Sequence, residues 1–277
     1  MIIDGNQIAN EIKNELRVRV SGRNLKLAII KVGQNKATDI FVERKLRFGK
    51  DIGVETEVFA LGEDVGENDL CQKISEINKG NVNGIILQLP LPKGVNIQPA
   101  LDRISPEKDI DALSSTLSGR FIAGETTVLP PVVGAVKIIL EKGGININDL
   151  KEKTVAIIGC GSLVGRPAAL WFMNNGSTVS VLNSHTRDLK RLTTEADIIV
   201  SGAGKPGLIK PDMIKEGAII IDAATAECDG RLVGDADPEV AKKAAVFTPV
   251  PGGVGPITVA MVFKNLVDLN SWENEHG

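Results

Sequence analysis

Thr154-Val155-Ala156-Ile157-Ile158-Gly159-Cys160-Gly161-Ser162-Leu163-Val164-Gly165-Arg166-Pro167 is the stretch on which the fold turns. Its branched apolar start reads as a buried strand, its three glycines as a tight turn, and the run from Pro167 as a helix. A strand that passes through glycines into a helix N-terminus offers backbone N–H groups and a partial positive charge to a pyrophosphate. The GxGxxxG spacing is one residue longer than the commonest dinucleotide fingerprint, and a strand–helix turn without ligand has the same pattern. The next strand narrows the nucleotide. An NAD site carries a carboxylate about 20 residues on, for the ribose 2′-hydroxyl. Here strand Thr178–Leu182 ends in Asn183-Ser184-His185-Thr186-Arg187, with no carboxylate before Asp188. Polar and basic groups tolerate a 2′-phosphate better than a carboxylate does, which favours NADP, with NAD a competitor.

The same alternation of strand and helix extends in both directions. Downstream, Asp197–Gly202 and Ala218–Asp222 read as further strands. Upstream, Ile8, Ile12 and Leu16 recur at helical spacing, Leu27–Val32 reads as a strand, Ala37–Asp51 as a helix and Val54–Leu61 as a strand. Leu70–Asn78 reads as a helix, and Gly84–Leu89 as a strand stopped by Pro90 and Pro92. Val132–Lys142 reads as a helix ending at Gly143-Gly144, and Ile257–Leu269 as another after Pro256. The expected fold is α/β with mainly parallel sheets, in two α/β domains with an active-site cleft between them. Residues 1–125, with a returning C-terminal helix over 256–277, form the first domain; residues 140–245 form the second, a Rossmann-type nucleotide-binding domain.

Length and composition agree. A chain of 277 residues, 43% hydrophobic and 24% charged, suits about two globular domains and excludes a disordered tail. A net charge of −3 speaks against nucleic acid as a partner. The longest apolar runs, such as Ala218–Ile221, are far short of the roughly 20 residues that span a bilayer. Three scattered cysteines, Cys71, Cys160 and Cys228, lack metal-ligand spacing, and His185 and His276 are the only histidines. The expectation is a reduced cytoplasmic protein with no metal site and no membrane partner.

One lysine stands apart. Phe41, Lys45 and Phe48 share a face of the Ala37–Asp51 helix by i, i+4, i+7 spacing. A lysine between two phenylalanines either snorkels to water or is held in a pocket. Two segments bear on the choice: Gln88 ends an apolar strand, and Lys108-Asp109-Ile110-Asp111 sets two carboxylates beside a loop. Asp109 orients that loop while Asp111 binds a ligand, or the roles are swapped. Cys160 has no base nearby and reads as part of the turn rather than as a nucleophile. His185 reads equally as a surface residue or a phosphate contact. Residues 63–69 read as a solvated loop, with Asn68 or Asp69 capping the next helix.

From residue 3 to about 269 the chain resembles the bifunctional methylenetetrahydrofolate dehydrogenase/methenyltetrahydrofolate cyclohydrolase family. The resemblance rests on Ile3-Asp4-Gly5, Val32-Gly33, Phe41-Val42-x-x-Lys45, the QLPLP segment at 88–92, Lys108–Asp111, Gly159–Pro167 and Thr248-Pro249-Val250-Pro251-Gly252-Gly253-Val254-Gly255-Pro256-Ile257-Thr258. It implies an enzyme of one-carbon metabolism that oxidises 5,10-methylenetetrahydrofolate with a nicotinamide cofactor, NADP or NAD. The methenyl product is then hydrolysed to 10-formyltetrahydrofolate. Lys45 would be the central catalytic residue, Gln88 its partner and Asp111 the anchor of the pterin. Phe41, Leu87, Leu89 and the loop of Pro251, Gly252, Gly253, Val254 and Gly255 would line the folate site. Gly159, Cys160, Gly161, Ser184 and Thr225 occupy the nucleotide-contact positions, and a homodimer through the nucleotide domains is implied.

The chemistry fits these roles. A pterin edge offers an amino group and a ring N–H side by side to a carboxylate. Hydrolysis needs a base at neutral pH, and burial or a neighbouring cation lowers a lysine toward that role.

There are departures from the family pattern. Phe41 replaces a tyrosine four residues before the lysine, Ala112 a glycine after Asp111, and Leu129-Pro130-Pro131-Val132 a Pro-Cys-Thr-Pro segment. Gly159-Cys160-Gly161 replaces Gly-Arg-Ser, Asn183-Ser184 replaces His-Ser, and Asp222-Ala223-Ala224-Thr225 replaces Asp-Val-Gly-Ile. The lost arginine is one that would pair with a 2′-phosphate, a charge that Arg166 or Arg187 can replace. These departures leave two other readings open: a dehydrogenase with weak or absent cyclohydrolase, and a non-catalytic folate or nucleotide sensor.

Overall fold

Apolar runs without polar alternation make strands that are covered on both faces, and the central strands here are of that kind. The computed structural model describes residues 1–92, 94–126, 128–228 and 231–276, with side chains at all of these except 36, 37 and 272–276. In chain order, α1 spans Gly5–Val20, β1 Lys26–Val32, α2 Lys36–Ile52, β2 Glu55–Leu61, α3 Glu67–Asn78 and β3 Gly84–Leu87. Two short helices follow, α4 at Ile97–Leu101 and α5 at Ser115–Ala123, and then α6 at Pro131–Lys142. The second half carries β4 at Thr154–Ile158, α7 at Gly165–Asn174, β5 at Thr178–Leu182, α8 at Leu189–Thr194, β6 at Ile198–Ser201 and β7 at Ile219–Asp222. It ends with β8 at Ala226–Cys228, β9 at Arg231–Val233, β10 at Val246–Phe247 and α9 at Val254–His276. The expected end of the last helix at Gly277 lies outside the described residues.

The chain divides into two compact units: Asn10–Pro131 with Val259–Gly277, and Met1–Ala9 with Val132–Thr258. In the first, β1 is the centre of a parallel sheet ordered β2-β1-β3. Ala28, Ile30, Leu70, Ile74, Ile85 and Leu87 form its core. α3 is capped at Gly66 without a side-chain bond, so Asn68 and Asp69 lie inside the first turn rather than capping it. Asp69 instead brings negative charge to the helix's positive end.

In the second unit five parallel strands are ordered β10-β7-β6-β4-β5. From β4 the chain moves outward to β5, then returns across β4 to β6, so the strand order reverses between β4 and β6. In such sheets ligands bind beyond the carboxyl ends of the strands at that reversal. The first nine residues, expected with the first half, group with this unit instead. Backbone bonds explain it: Ile3 N donates to Phe247 O at 2.9 Å, and Phe247 N to Met1 O at 2.9 Å. Among the described residues no helix is long and apolar enough to cross a membrane.

Candidate active site

α2 turns Thr38, Val42, Lys45, Phe48 and Ile52 inward, at the spacing of one amphipathic face. Lys45 thus occupies the middle of a stripe where an apolar residue is the rule, and it is 8% exposed. It does not snorkel. Its Nζ donates to Gln88 Oε1 at 2.8 Å. Burial holds the amine below the usual lysine range, against the opposing pull of the Asp111 carboxylate. The two phenylalanines separate: Phe48 stacks on Phe263 with centroids 5.0 Å apart and serves the core. Phe41 is half-buried, with the Arg44 guanidinium 5.8 Å from its ring.

Gln88 follows β3, and its backbone N–H continues the ladder to Ile30 O at 2.8 Å. Its side-chain Nε2 donates to Leu89 O at 3.0 Å. That bond orients the amide so that Oε1, an acceptor, faces the amine. An acceptor without formal charge holds the lysine in place yet adds no anion that would raise its pKa. Leu87, expected at the substrate, buries its side chain in the core and leaves a ligand only its backbone; Leu89 packs partly on the same core. The alternation of side chains along a strand makes this so: Gln88 faces the lysine, and its neighbour faces the other way.

The two carboxylates divide their work. Asp109 is 1% exposed, and its carboxylate accepts from the backbone N–H groups of Leu113 at 3.3 Å and Ser114 at 2.8 Å. It therefore shapes the loop. Asp111 is half-buried; burial pushes its carboxyl up, Lys45 pulls it down, and the neighbouring Asp109 pushes it up again. Between them and the next helix, Ala112 sits at φ +54°. An alanine there costs about 1 kcal/mol relative to glycine. Burial of its methyl against Leu117 and Val128 returns nearly the same amount, about 0.8 kcal/mol.

In the other unit the glycine turn stands at the strand reversal. Gly159 has φ +97°, and a Cβ there would lie 2.7 Å from Gly202 O, just beyond β6. A Cβ on Gly165, the first residue of α7, would lie 2.0 Å from Gly159 O. Gly159 is demanded by the backbone that follows β6, and Gly165 by the close approach of α7 to the turn. Gly161 is different, since a Cβ there meets nothing within 4 Å. Cys160, Ser184 and Thr225 are exposed in the loops after β4, β5 and β7. Asp188 caps α8 by accepting from Arg191 N at 3.2 Å, so it is not a ribose acceptor by default.

The 248–258 segment makes a second constellation in this unit. Thr248 Oγ1 accepts from Asp222 N at 2.7 Å. Gly252, at φ +101°, accepts from Gly5 N through its carbonyl at 2.8 Å. A Cβ on Gly5 would lie 1.8 Å from Gly253 O, which explains a glycine in the N-terminal motif. Pro251 is exposed, while Gly253 and Val254 are buried; the Val254 side chain is therefore turned inward, and Gly255 lies in the first turn of α9.

Sequence reasoning missed two buried aspartates. Asp235 accepts from Ser201 Oγ at 2.5 Å, Ala203 N at 2.7 Å and Lys205 N at 2.6 Å, ordering the loop after β6. Asp222 accepts from Ala224 N at 3.1 Å and Ala236 N at 2.8 Å. Desolvation outweighs those bonds and, with help from Asp235, pushes Asp222 up to about 6. From about pH 4 to 6 the folded chain keeps a proton on Asp222 that the unfolded chain has released. Stability from this group is therefore present at low pH and falls by about 3 kcal/mol as pH rises through that window. Asp222→Asn is expected to remove the fall, measured as urea midpoints between about pH 4 and 7. An unchanged pH dependence would refute it.

A parallel sheet with a glycine turn at its strand reversal is a dinucleotide-binding fold, and a buried lysine of lowered pKa coupled to a carboxylate is an enzyme-type site. Family models described as "Tetrahydrofolate dehydrogenase/cyclohydrolase, catalytic domain" and "Tetrahydrofolate dehydrogenase/cyclohydrolase, NAD(P)-binding domain" match residues 3–111 and 130–274. The chain belongs to that family. It is 40% identical over 274 residues to the bifunctional protein FolD of Aquifex aeolicus, covering 96% of this chain and 93% of that one. The crystal structure of FolD from Campylobacter jejuni matches with a TM-score of 0.93 at 36% identity, over 99% of both chains. The Trypanosoma brucei FolD complexed with NADP and an inhibitor matches with a TM-score of 0.93 at 33% identity, over 99% of this chain and 98% of that one.

Proposed function

We propose that this chain oxidises 5,10-methylenetetrahydrofolate with NADP, and then hydrolyses the 5,10-methenyl product to 10-formyltetrahydrofolate. The buried Lys45–Gln88 pair carries the reading. Oxidation moves a hydride from the methylene carbon to the nicotinamide, leaving a cationic methenyl carbon; the protein's part is to hold donor against acceptor. Hydrolysis adds water to that carbon, loses one proton and breaks the bond to N5. The Lys45 amine, whose neutral form burial favours, takes the proton, and Gln88 keeps it aimed. Asp111 accepts the pterin's amino and ring N–H donors, and Phe41 supplies an apolar face for the substrate.

Pro251–Gly255 is assigned to the folate, and Gly159–Gly161, Ser184 and Thr225 to the dinucleotide, supported by the open space at Gly161. NADP is favoured over NAD because Asp188 is engaged as a helix cap and Arg166 and Arg187 are exposed. A homodimer through the nucleotide half is supported by β5, an edge strand whose Val181 is 46% exposed.

The test is a near-ultraviolet assay with methylenetetrahydrofolate and each dinucleotide, followed by loss of methenyltetrahydrofolate absorbance. Reduction of NADP in preference to NAD is expected, with both steps detectable. Phe41→Tyr is expected to raise the hydrolytic rate by up to about tenfold, the worth of one added hydrogen bond. Failure to reduce either dinucleotide would overturn the proposal.

A further inference from the structure

α9 is apolar over its buried face: Val259, Ala260, Met261, Val262, Phe263, Leu266 and Val267 are all core residues. Asn265 interrupts that face. It is 2% exposed and is the only buried polar residue in the described part of the helix. Its Nδ2 spends both hydrogens on backbone carbonyls from two separate segments, Ile110 O at 2.9 Å and Leu129 O at 2.8 Å. The Ile110 carbonyl belongs to the peptide group that carries the N–H of Asp111. On the far side of the same short loop, the Asp109 carboxylate grips Leu113 N and Ser114 N. The backbone around Asp111 is thus tied to α9 through Asn265 and closed on itself through Asp109.

We propose that Asn265 is a positioning residue for the folate site, holding the Ile110–Asp111 peptide so that the Asp111 carboxylate meets its ligand. The chemistry singles out the amide. Two carbonyls need two N–H donors diverging from one nitrogen, which a buried –NH₂ supplies and a methyl group or a carboxylate does not. Leucine, of equal size, leaves both carbonyls without their donor, and aspartate faces them with oxygen. This inference rests on the assignment of Asp111 to the pterin.

The experiment compares Asn265→Leu, Asn265→Gln, Asp111→Ala and the double variant Asn265→Leu/Asp111→Ala in the full chain. The readouts are the KM for methenyltetrahydrofolate, the Kd for NADP and the thermal midpoint. Misplacing a binding group by a fraction of an ångström to one ångström costs about 10- to 100-fold. Asn265→Leu is therefore expected to raise the folate KM by about that factor while the NADP Kd stays put. Asn265→Gln restores part of the loss, and adding Asn265→Leu to Asp111→Ala raises KM no further. A lowered midpoint with an unchanged KM makes Asn265 structural only and overturns the proposal, as does full additivity in the double variant. Should Asn265→Leu not fold, Asn265→Gln decides alone, since a wild-type KM in that variant overturns the proposal and a raised KM with unchanged NADP affinity supports it. Should Asp111→Ala itself leave KM unchanged, the assignment of Asp111 fails first, a result distinct from a silent Asn265.

Discussion

Lys45→Met is expected to lose about 10²- to 10⁴-fold of the hydrolytic rate, the range set by removing a positioned base, and with it the rise in stability that the folded chain shows from neutral to alkaline pH. The two halves of that result have one cause. Burial that lowers the Lys45 pKa makes the amine easier to keep as a free base, and it does so by making its ammonium form unfavourable in the fold. Because the folded pKa lies below the unfolded one, the unfolded chain binds the extra proton. Stability from this group is therefore reduced at neutral pH and recovers as pH rises toward about 10.4. Methionine has nearly the same length and no charge to desolvate, so that recovery disappears in the variant. Against this stands the buried Gln88 acceptor left without its donor, about 1–3 kcal/mol. In the wild type the hydrolytic rate should fall as pH drops through the lowered lysine pKa. Rate measurements over pH and urea midpoints at neutral and alkaline pH check both halves. A variant that hydrolyses methenyltetrahydrofolate at the wild-type rate would remove Lys45 from the mechanism.

The second large effect separates two glycines of one motif. Gly165→Ala places a Cβ 2.0 Å from Gly159 O, backbone against backbone, so relief requires α7 to lift from β4. A loss of about 3 kcal/mol or more is expected, the upper range of overpacking. Gly161→Ala meets nothing within 4 Å and should change stability by less than about 0.5 kcal/mol. On the proposed assignment of this turn to the dinucleotide, its methyl stands in the way of the pyrophosphate, and NADP affinity should fall by at least about tenfold. Thermal unfolding and dinucleotide titration read the two effects independently. Equal stability of the two variants would contradict the packing argument, and undiminished NADP binding by Gly161→Ala would remove the turn from the nucleotide site.

Much of the architecture was legible from periodicity. β4 and β5 begin and end where the branched apolar runs do, at Thr154–Ile158 and Thr178–Leu182, and α2 and α6 lie within one residue of their expected bounds. The elements that escaped are short: α4, α5, α8 and the paired strands β8 and β9 have nine residues or fewer each. Over such lengths a hydrophobic period hardly repeats, and side-chain bonds set the starts of two of them: Ser114 accepts from Leu117 N at 3.3 Å at α5, and Asp188 from Arg191 N at 3.2 Å at α8. The helix expected from Pro167 begins two residues earlier, at Gly165, because a helix tolerates proline in its first turn.

By itself the sequence determined the strand–helix alternation, the glycine turn and which residues are candidates for chemistry, because each is a local pattern or a local chemical property. Whether Lys45 reaches water, whether Leu87 faces a ligand or the core, and why Gly5 must be glycine were decided only by the tertiary structure. Those answers depend on partners 43 residues away for Lys45 and Gln88, and at Gly252 and Gly253 for Gly5. Asn265 shows the same division. An asparagine in an apolar helix is visible in the sequence, but its two carbonyl partners, 155 and 136 residues distant, exist only once the chain has folded. Burial and hydrogen bonding between distant segments are properties of the packed molecule, and no period along the chain encodes them.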